Sequence, residues 1–197
     1  MLKNKIKRLA KESTIFFQCD IQARHLEKVY HFDSVVTVAI MMAKMASILK
    51  IPLIISEHNR AVFGGTIQPI PEYYPPGVSI FDKLSFSMIT KEAKKLLENY
   101  PERKSAVLYG VDTHVCVKQT AHDLLALGYD VYIPVDGVSS LRTGDRSGAL
   151  VMLEETGVII TSAESIAFEM VRDASNPDFK AILPILKMDR SNQITHL

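Results

Sequence analysis

The sequence predicts an α/β fold, a mostly parallel sheet covered by helices on both faces. Three observations predict it. Short apolar runs such as residues 15–19 (IFFQC) and 106–111 (AVLYGV) alternate with segments whose apolar residues recur at helical spacing. Strand–helix–strand units close with a right-handed crossover, which lays successive strands parallel. The chain has 197 residues, 47% apolar and 23% charged, which suits one domain burying about 70% of its unfolded surface. A single domain is expected over residues 1–197, with its core at about 13–187.

Taken in order, residues 15–19 read as a buried strand. Residues 34–50 read as a helix with Ser34 as N-cap and Val35, Val38, Met42, Met45 and Leu49 on its apolar face. Its methionines are core residues by this reading. Residues 52–56 form the second strand. A long loop over 57–77 carries Gly64-Gly65 and Pro75-Pro76, and loops of that length are often functional. Residues 78–81 suit a short edge strand, and 89–99 an amphipathic helix with exposed lysines. The strand at 106–111 leads into a helix at 113–127, closed by Gly128. A strand at 131–135, a helix at 144–156 ended by Gly157, and a strand at 158–161 follow. Two helices, 164–173 and 177–187, complete the pattern, the second interrupted by Pro184. The tail from Met188 is polar and is expected to be loosely held.

Composition excludes several function classes. Lys and Arg number 23 against 22 Asp and Glu, a net charge of +1, so bulk electrostatics supports neither nucleic-acid nor anionic-membrane binding. No apolar run approaches the ~18–20 residues of a membrane span. The start is basic (Lys3, Lys5, Lys7, Arg8, Lys11), with Leu2, Ile6, Leu9 and Ala10 on one helical face, and reads as a solvated segment laying a few apolar side chains on the domain. With no secretory h-region, the expected location is cytoplasmic. Two cysteines, Cys19 and Cys116, exclude a disulfide scaffold and leave thiol chemistry open.

In sheets of this kind ligands bind beyond the carboxyl ends of the strands. Three residues fall there. Asp20 follows the first strand, Lys83 follows the short strand at 78–81, and Cys116 lies in the first turn of the helix after AVLYGV. With Thr113 as N-cap, Cys116 takes the third helical position, where unpaired N–H groups favour a thiolate. A Lys83 ammonium would favour it further, and an Asp20 carboxylate could take the thiol proton and return it to a leaving group. Each residue alone also has an ordinary role: a packing cysteine, a capping aspartate, a solvated lysine.

The stretches FFQCDIQ, FDKLSFSM and LYGVDTHVCVKQTAHDLLALGYDVYIPVDGVSS, in that order, resemble the isochorismatase-like cysteine hydrolases, in the branch of isochorismatase domain-containing proteins. The resemblance covers about 13–187, including EHNRAVFGGTIQPIP and SAESIAFEMVRDASNPDFKAI. It implies a three-layer, doubly wound α/β/α fold with a six-stranded sheet in the order 3-2-1-4-5-6, placing Asp20 and Cys116 at the switch in strand order. Carried over, Asp20 resembles the acid/base, Lys83 the thiolate-stabilising cation and Cys116 the nucleophile. The resemblance also implies a cis peptide between Val111 and Asp112, and an oxyanion hole from the backbone N–H groups of Asp112 and Cys116. The implied reaction is hydrolysis of a small-molecule amide or ester through a Cys116 thioester, in a homo-oligomer, without cofactor.

Two departures sharpen this. Relatives that hydrolyse isochorismate typically lack the cysteine, so Cys116 argues for acyl chemistry. Nicotinamidase relatives bind a metal through an Asp-x-His pair and a later His; SEHNRAVFGG has no such pair, and no metal is expected. Gln22, His58, Phe63 and His114 are substrate-pocket candidates, and His25, His31, His58 and His114 leave a Cys–His dyad open. His122 faces away from Cys116 by helical phase. Cys19 precedes Asp20, and strand alternation puts it on the opposite face as a buried small hydrophobe. Arg142 and Arg146 suit either a substrate carboxylate or surface pairing with Asp145. A catalytically idle binder of a metabolite or protein, and a nucleic-acid-binding or nuclease role, are the competing functions.

Overall fold

β1 (Thr14–Cys19) is buried at all six positions, because it lies inside the sheet with helices on both sides. This is seen in a computed structural model, which describes residues 8–25, 28–192 and 194. β1 pairs in parallel with β2 (Leu53–His58) on one side and β4 (Ser105–Val111) on the other. β3 (Ser79–Lys83) continues the sheet from β2 to the edge. On the far side β4 pairs with β5 (Asp130–Pro134), which pairs with β7 (Ile159–Thr161). The path β3-β2-β1-β4-β5-β7 reproduces the expected six-strand order.

The strand count needs one correction. The sheet has seven strands, because the two-residue β6 (Val138–Ser139) pairs with Gly110 and Val111 at the end of β4. β5 contacts only the start of β4, at residues 105–107, and the chain returns as β6 to satisfy the backbone groups β5 leaves open. A two-residue strand carries too little periodicity to be read from sequence.

α1 (Phe32–Leu49), α6 (Ala163–Val171) and α7 (Pro177–Leu186) pack together on one face. α4 (Lys118–Ala126) and α5 (Thr143–Glu155) pack together on the other. α2 (Arg60–Phe63) is a single turn in the long loop, and α3 (Lys91–Leu97) follows Thr90, whose side chain accepts the Ala93 N–H as an N-cap. α1 corrects two expectations. It starts two residues before Ser34, whose buried hydroxyl instead donates to the Asp136 carbonyl at 2.7 Å. By length and composition it could also cross a membrane, but 61% of it is buried inside the fold, which accounts for its apolar sequence.

The tail is better held than expected. Ile194 is buried and its N–H donates to Ser34 Oγ, while Arg190 pairs with Glu164 at 2.8 Å. At the other end Leu9 is fully buried and Lys11 pairs with Asp178. The basic positions Lys3, Lys5 and Lys7 lie outside the described residues.

Candidate active site

The carboxyl ends of β1, β2, β3 and β4 meet at one rim, and the residues there are polar and buried. Asp20 leaves β1 with φ 51°, in the left-handed region that costs a non-glycine residue energy. Its N–H donates to the Ser56 carbonyl at 3.1 Å. Its carboxylate is enclosed: Oδ1 accepts from Ser56 Oγ at 2.7 Å, and Oδ2 accepts from Lys83 Nζ at 2.7 Å and faces Cys19 Sγ at 3.6 Å.

Lys83 is the last residue of β3 rather than a residue beyond it, and its register partner is His58 on β2. Besides Asp20, its ammonium donates to the carbonyls of Ser85 (3.1 Å) and Phe86 (2.9 Å), so all three N–H groups are engaged. Burial alone would push this lysine down. The Asp20 carboxylate on its ammonium, with the Cys19 and Cys116 sulfurs nearby, outweighs that and holds it above the ordinary lysine range.

Cys116 arrives from β4. Gly110, at φ 128°, lies against β1 so closely that a Cβ there would sit 2.0 Å from the Cys19 carbonyl oxygen; only glycine lets the two strand ends approach. The peptide between Val111 and Asp112 is cis. The chain then enters one wide helical turn, Thr113–Val117, in which the N–H groups of Val115 and Val117 both donate to the Asp112 carbonyl. Thr113 is therefore the first residue of the turn, not its cap, and Cys116 is the fourth. Cys116 is 8% exposed, the one thiol of the pair with any solvent contact.

Asp20 and Lys83 thus meet from two separate segments, and Cys116, arriving from a third, lies near enough for its charge to act on Lys83. Cys19 converges with them, against the alternation reading. The left-handed Asp20 breaks the strand's alternation at its last step and turns its carboxylate back toward the Cys19 sulfur. Cys19 is buried as expected. Its own burial, with the Cys116 thiol and the Asp20 carboxylate beside it, pushes its thiol well above the ordinary range, so it stays protonated.

The remaining candidates divide. His58 and Phe63 border the rim: the His58 ring stacks on Phe86 (centroids 5.7 Å) and packs against Phe63 (5.6 Å), and its Nδ1 is buried without a partner. Gln22 is buried and works on the backbone. Its amide donates to the carbonyls of His58 (3.1 Å) and Gly64 (2.6 Å) and accepts the His58 N–H (2.7 Å), tying the long loop to β1. His114 turns toward α5, with Nδ1 3.0 Å from Ser140 Oγ and Nε2 4.0 Å from Asp145. His122 is exposed on α4, in keeping with its phase. Arg146 is buried with its guanidinium on the carbonyls of Val138 (3.0 Å) and Val135 (2.5 Å), so it braces β6 and is not a surface partner of Asp145.

Three rim residues were not singled out for the site from sequence. Ser56 is one. Glu57 is another, buried and accepting from the Thr66 N–H and hydroxyl at 2.7 and 2.9 Å while pairing with Arg60 at 3.1 Å. The third is the side chain of Asp112, raised above the usual carboxylate range by burial, with one oxygen buried and unpartnered. His25, one of four equivalent histidines in the sequence, is the one placed beside Asp20. Its Nδ1–H donates to the Asp20 carbonyl at 3.0 Å, and burial holds its ring below the ordinary histidine range. Among the described residues no cluster of three or more His, Cys, Asp or Glu could hold a metal ion.

A parallel sheet whose strand order switches at β1 and β4, with polar residues buried at that switch, defines a doubly wound α/β/α protein with its site at the switch point. The comparisons agree. Residues 14–165 match the isochorismatase domain family, and the chain belongs to it. The secreted isochorismatase effector Isc1 of Phytophthora sojae is 38% identical over 183 residues, covering 91% of this chain and 87% of that protein. Isochorismatase domain-containing protein 1 of Salmo salar is 39% identical over 175 residues, covering 89% of this chain and 61% of that protein, so the chain spans about six tenths of its length. A solved structure of the MAR1 ribonuclease from Caenorhabditis elegans superposes with a TM-score of 0.88 at 30% identity, covering 91% of this chain and 92% of that one.

Proposed function

We propose that this protein is a cysteine hydrolase of a small-molecule amide or related ester, with Cys116 as nucleophile, Asp20 as acid/base and Lys83 as the cation that holds Asp20 in place. The observation that carries this reading is the enclosed Asp20–Lys83 pair beside two thiols, of which only Cys116 touches solvent. Charges this deeply buried are costly to keep unless they serve a purpose.

Asp20 takes the Cys116 proton, and the thiolate attacks the substrate carbonyl carbon. The oxyanion rests on the backbone N–H groups of Asp112 and Cys116. As the C–N bond breaks, Asp20 returns the proton to the leaving amine. Water then attacks the thioester carbonyl, losing its proton to Asp20, and the acid departs as Cys116 is released. His58 and Phe63 form the wall against which the substrate lies. The protein acts as a homo-oligomer in the cytoplasm, a reducing compartment where both thiols stay free.

The test is a screen of small amides with intact-mass detection of an acyl adduct. An adduct on the Cys116 peptide, with hydrolysis lost in Cys116→Ala, is the expected outcome. Undiminished hydrolysis by Cys116→Ala overturns the reading.

A second reading, RNA cleavage, has one observation in its favour, the ribonuclease name carried by the C. elegans structure. The net charge of +1 gives it no electrostatic support. Cleavage of a single-stranded RNA that Cys116→Ala retains and rising salt suppresses would favour it over amide hydrolysis.

A further inference from the structure

We infer that Ser56 is the positioning residue of this site: its hydroxyl fixes the rotation of the Asp20 carboxylate, so that the carboxylate can accept the Cys116 proton. This rests on the roles proposed for Asp20 and Cys116, but not on the identity of the substrate.

Ser56 is fully buried on β2, in register with Cys19 on β1. It grips Asp20 twice, through its carbonyl on the Asp20 N–H (3.1 Å) and through its hydroxyl on Oδ1 (2.7 Å). The grip decides geometry. With Oδ1 held by Ser56, Oδ2 faces Lys83 and the Cys19 thiol. Without it, the carboxylate is held on Oδ2 alone and can rotate about that side. The other charged or titratable groups around Asp20 are Lys83 on β3, Cys19 on β1, Cys116 on the wide turn, Asp112 before it and His25 after β1. Of these Lys83 and the Cys19 thiol contact the carboxylate directly, both on Oδ2, and Ser56 is the donor on Oδ1.

The experiment measures the rate of iodoacetamide labelling at Cys116 against pH, with the site located by peptide mapping. It compares wild type with Ser56→Ala, and Ser56→Thr with Ser56→Val, a pair that differs in the hydroxyl at matched shape. Melting curves verify that each variant is folded, and the Thr/Val pair decides the matter where Ala does not fold. The expected result is Cys116 labelling roughly ten-fold slower at pH 6.5 in Ala and in Val, the difference closing at high pH where the thiol ionises without a base, with Thr close to wild type. Superimposable profiles with and without the hydroxyl overturn the inference. Slowed labelling together with no amide hydrolysis in any screen removes the reaction class and leaves Ser56 its role. Hydrolysis found without the slowing has the opposite meaning.

Discussion

Lys83 Nζ lies 2.7 Å from Asp20 Oδ2, and both side chains are shut away from solvent. The two residues are 63 positions apart and belong to strands separated in the sheet by β2. Their pairing welds the edge strand β3 to the centre of the rim. Removing one partner strands the other charge in a dry site, which typically costs about 3–5 kcal/mol. Lys83→Met should therefore lower the urea unfolding free energy by about that amount. Asp20→Asn combined with Lys83→Met should cost less than the sum of the single changes, as a double-mutant cycle reads directly.

Cys19 and Cys116 should differ sharply in reactivity. Cys19 is wholly buried and kept protonated by burial and by the neighbouring Cys116 and Asp20. Peptide mapping after mild iodoacetamide treatment of the native protein should find Cys116 carbamidomethylated and Cys19 unmodified. Both should react once the chain is unfolded in urea.

His25 makes stability depend on pH. Burial depresses its folded-state pKa below the unfolded value of about 6.5. Between those two values the unfolded chain binds the extra proton, so the residue favours unfolding as pH falls through about 6.5. The difference in unfolding free energy between wild type and His25→Gln should thus move in favour of the variant on going from pH 7.5 to pH 5.5. Denaturant curves at the two pH values check it.

Gln22 should control the long loop. Its three bonds to the backbone at His58 and Gly64 are all buried or partly so. Gln22→Ala leaves those groups unpaired, at about 1–3 kcal/mol for each that water cannot reach. Hydrogen exchange should accelerate at His58 and through the segment around Thr66, which pairs with Gln22 in an isolated bridge, and leave β4 and β5 unchanged.

Most of the fold was legible because its central strands are mostly apolar and its helices carry a clear 3.6-residue period. β6 was not, since two residues carry no period, and it exists because β5 leaves the end of β4 unpaired. Ser34 looked like a cap because its residue type suits one, yet the helix begins earlier and uses the hydroxyl to hold Asp136. At the site, Asp20, Lys83 and Cys116 could be placed on one rim from strand ends alone. Cys19 was misplaced because alternation assumes extended backbone through Asp20, and a left-handed residue at that step has no sequence signal apart from aspartate's tolerance of it. Ser56 and Glu57 were passed over for a different reason: in a buried strand a polar residue is informative only once its partner is known, and both partners come from distant segments.

The nucleophilic role of Cys116 is tested most directly by its labelling rate with iodoacetamide at neutral pH, in wild type and in Asp20→Asn. An activated thiol paired with its base should react at least about ten-fold faster than an ordinary cysteine, and Asp20→Asn should remove that advantage. A Cys116 that reacts no faster than an ordinary thiol, or whose rate is indifferent to Asp20, would contradict the proposed mechanism.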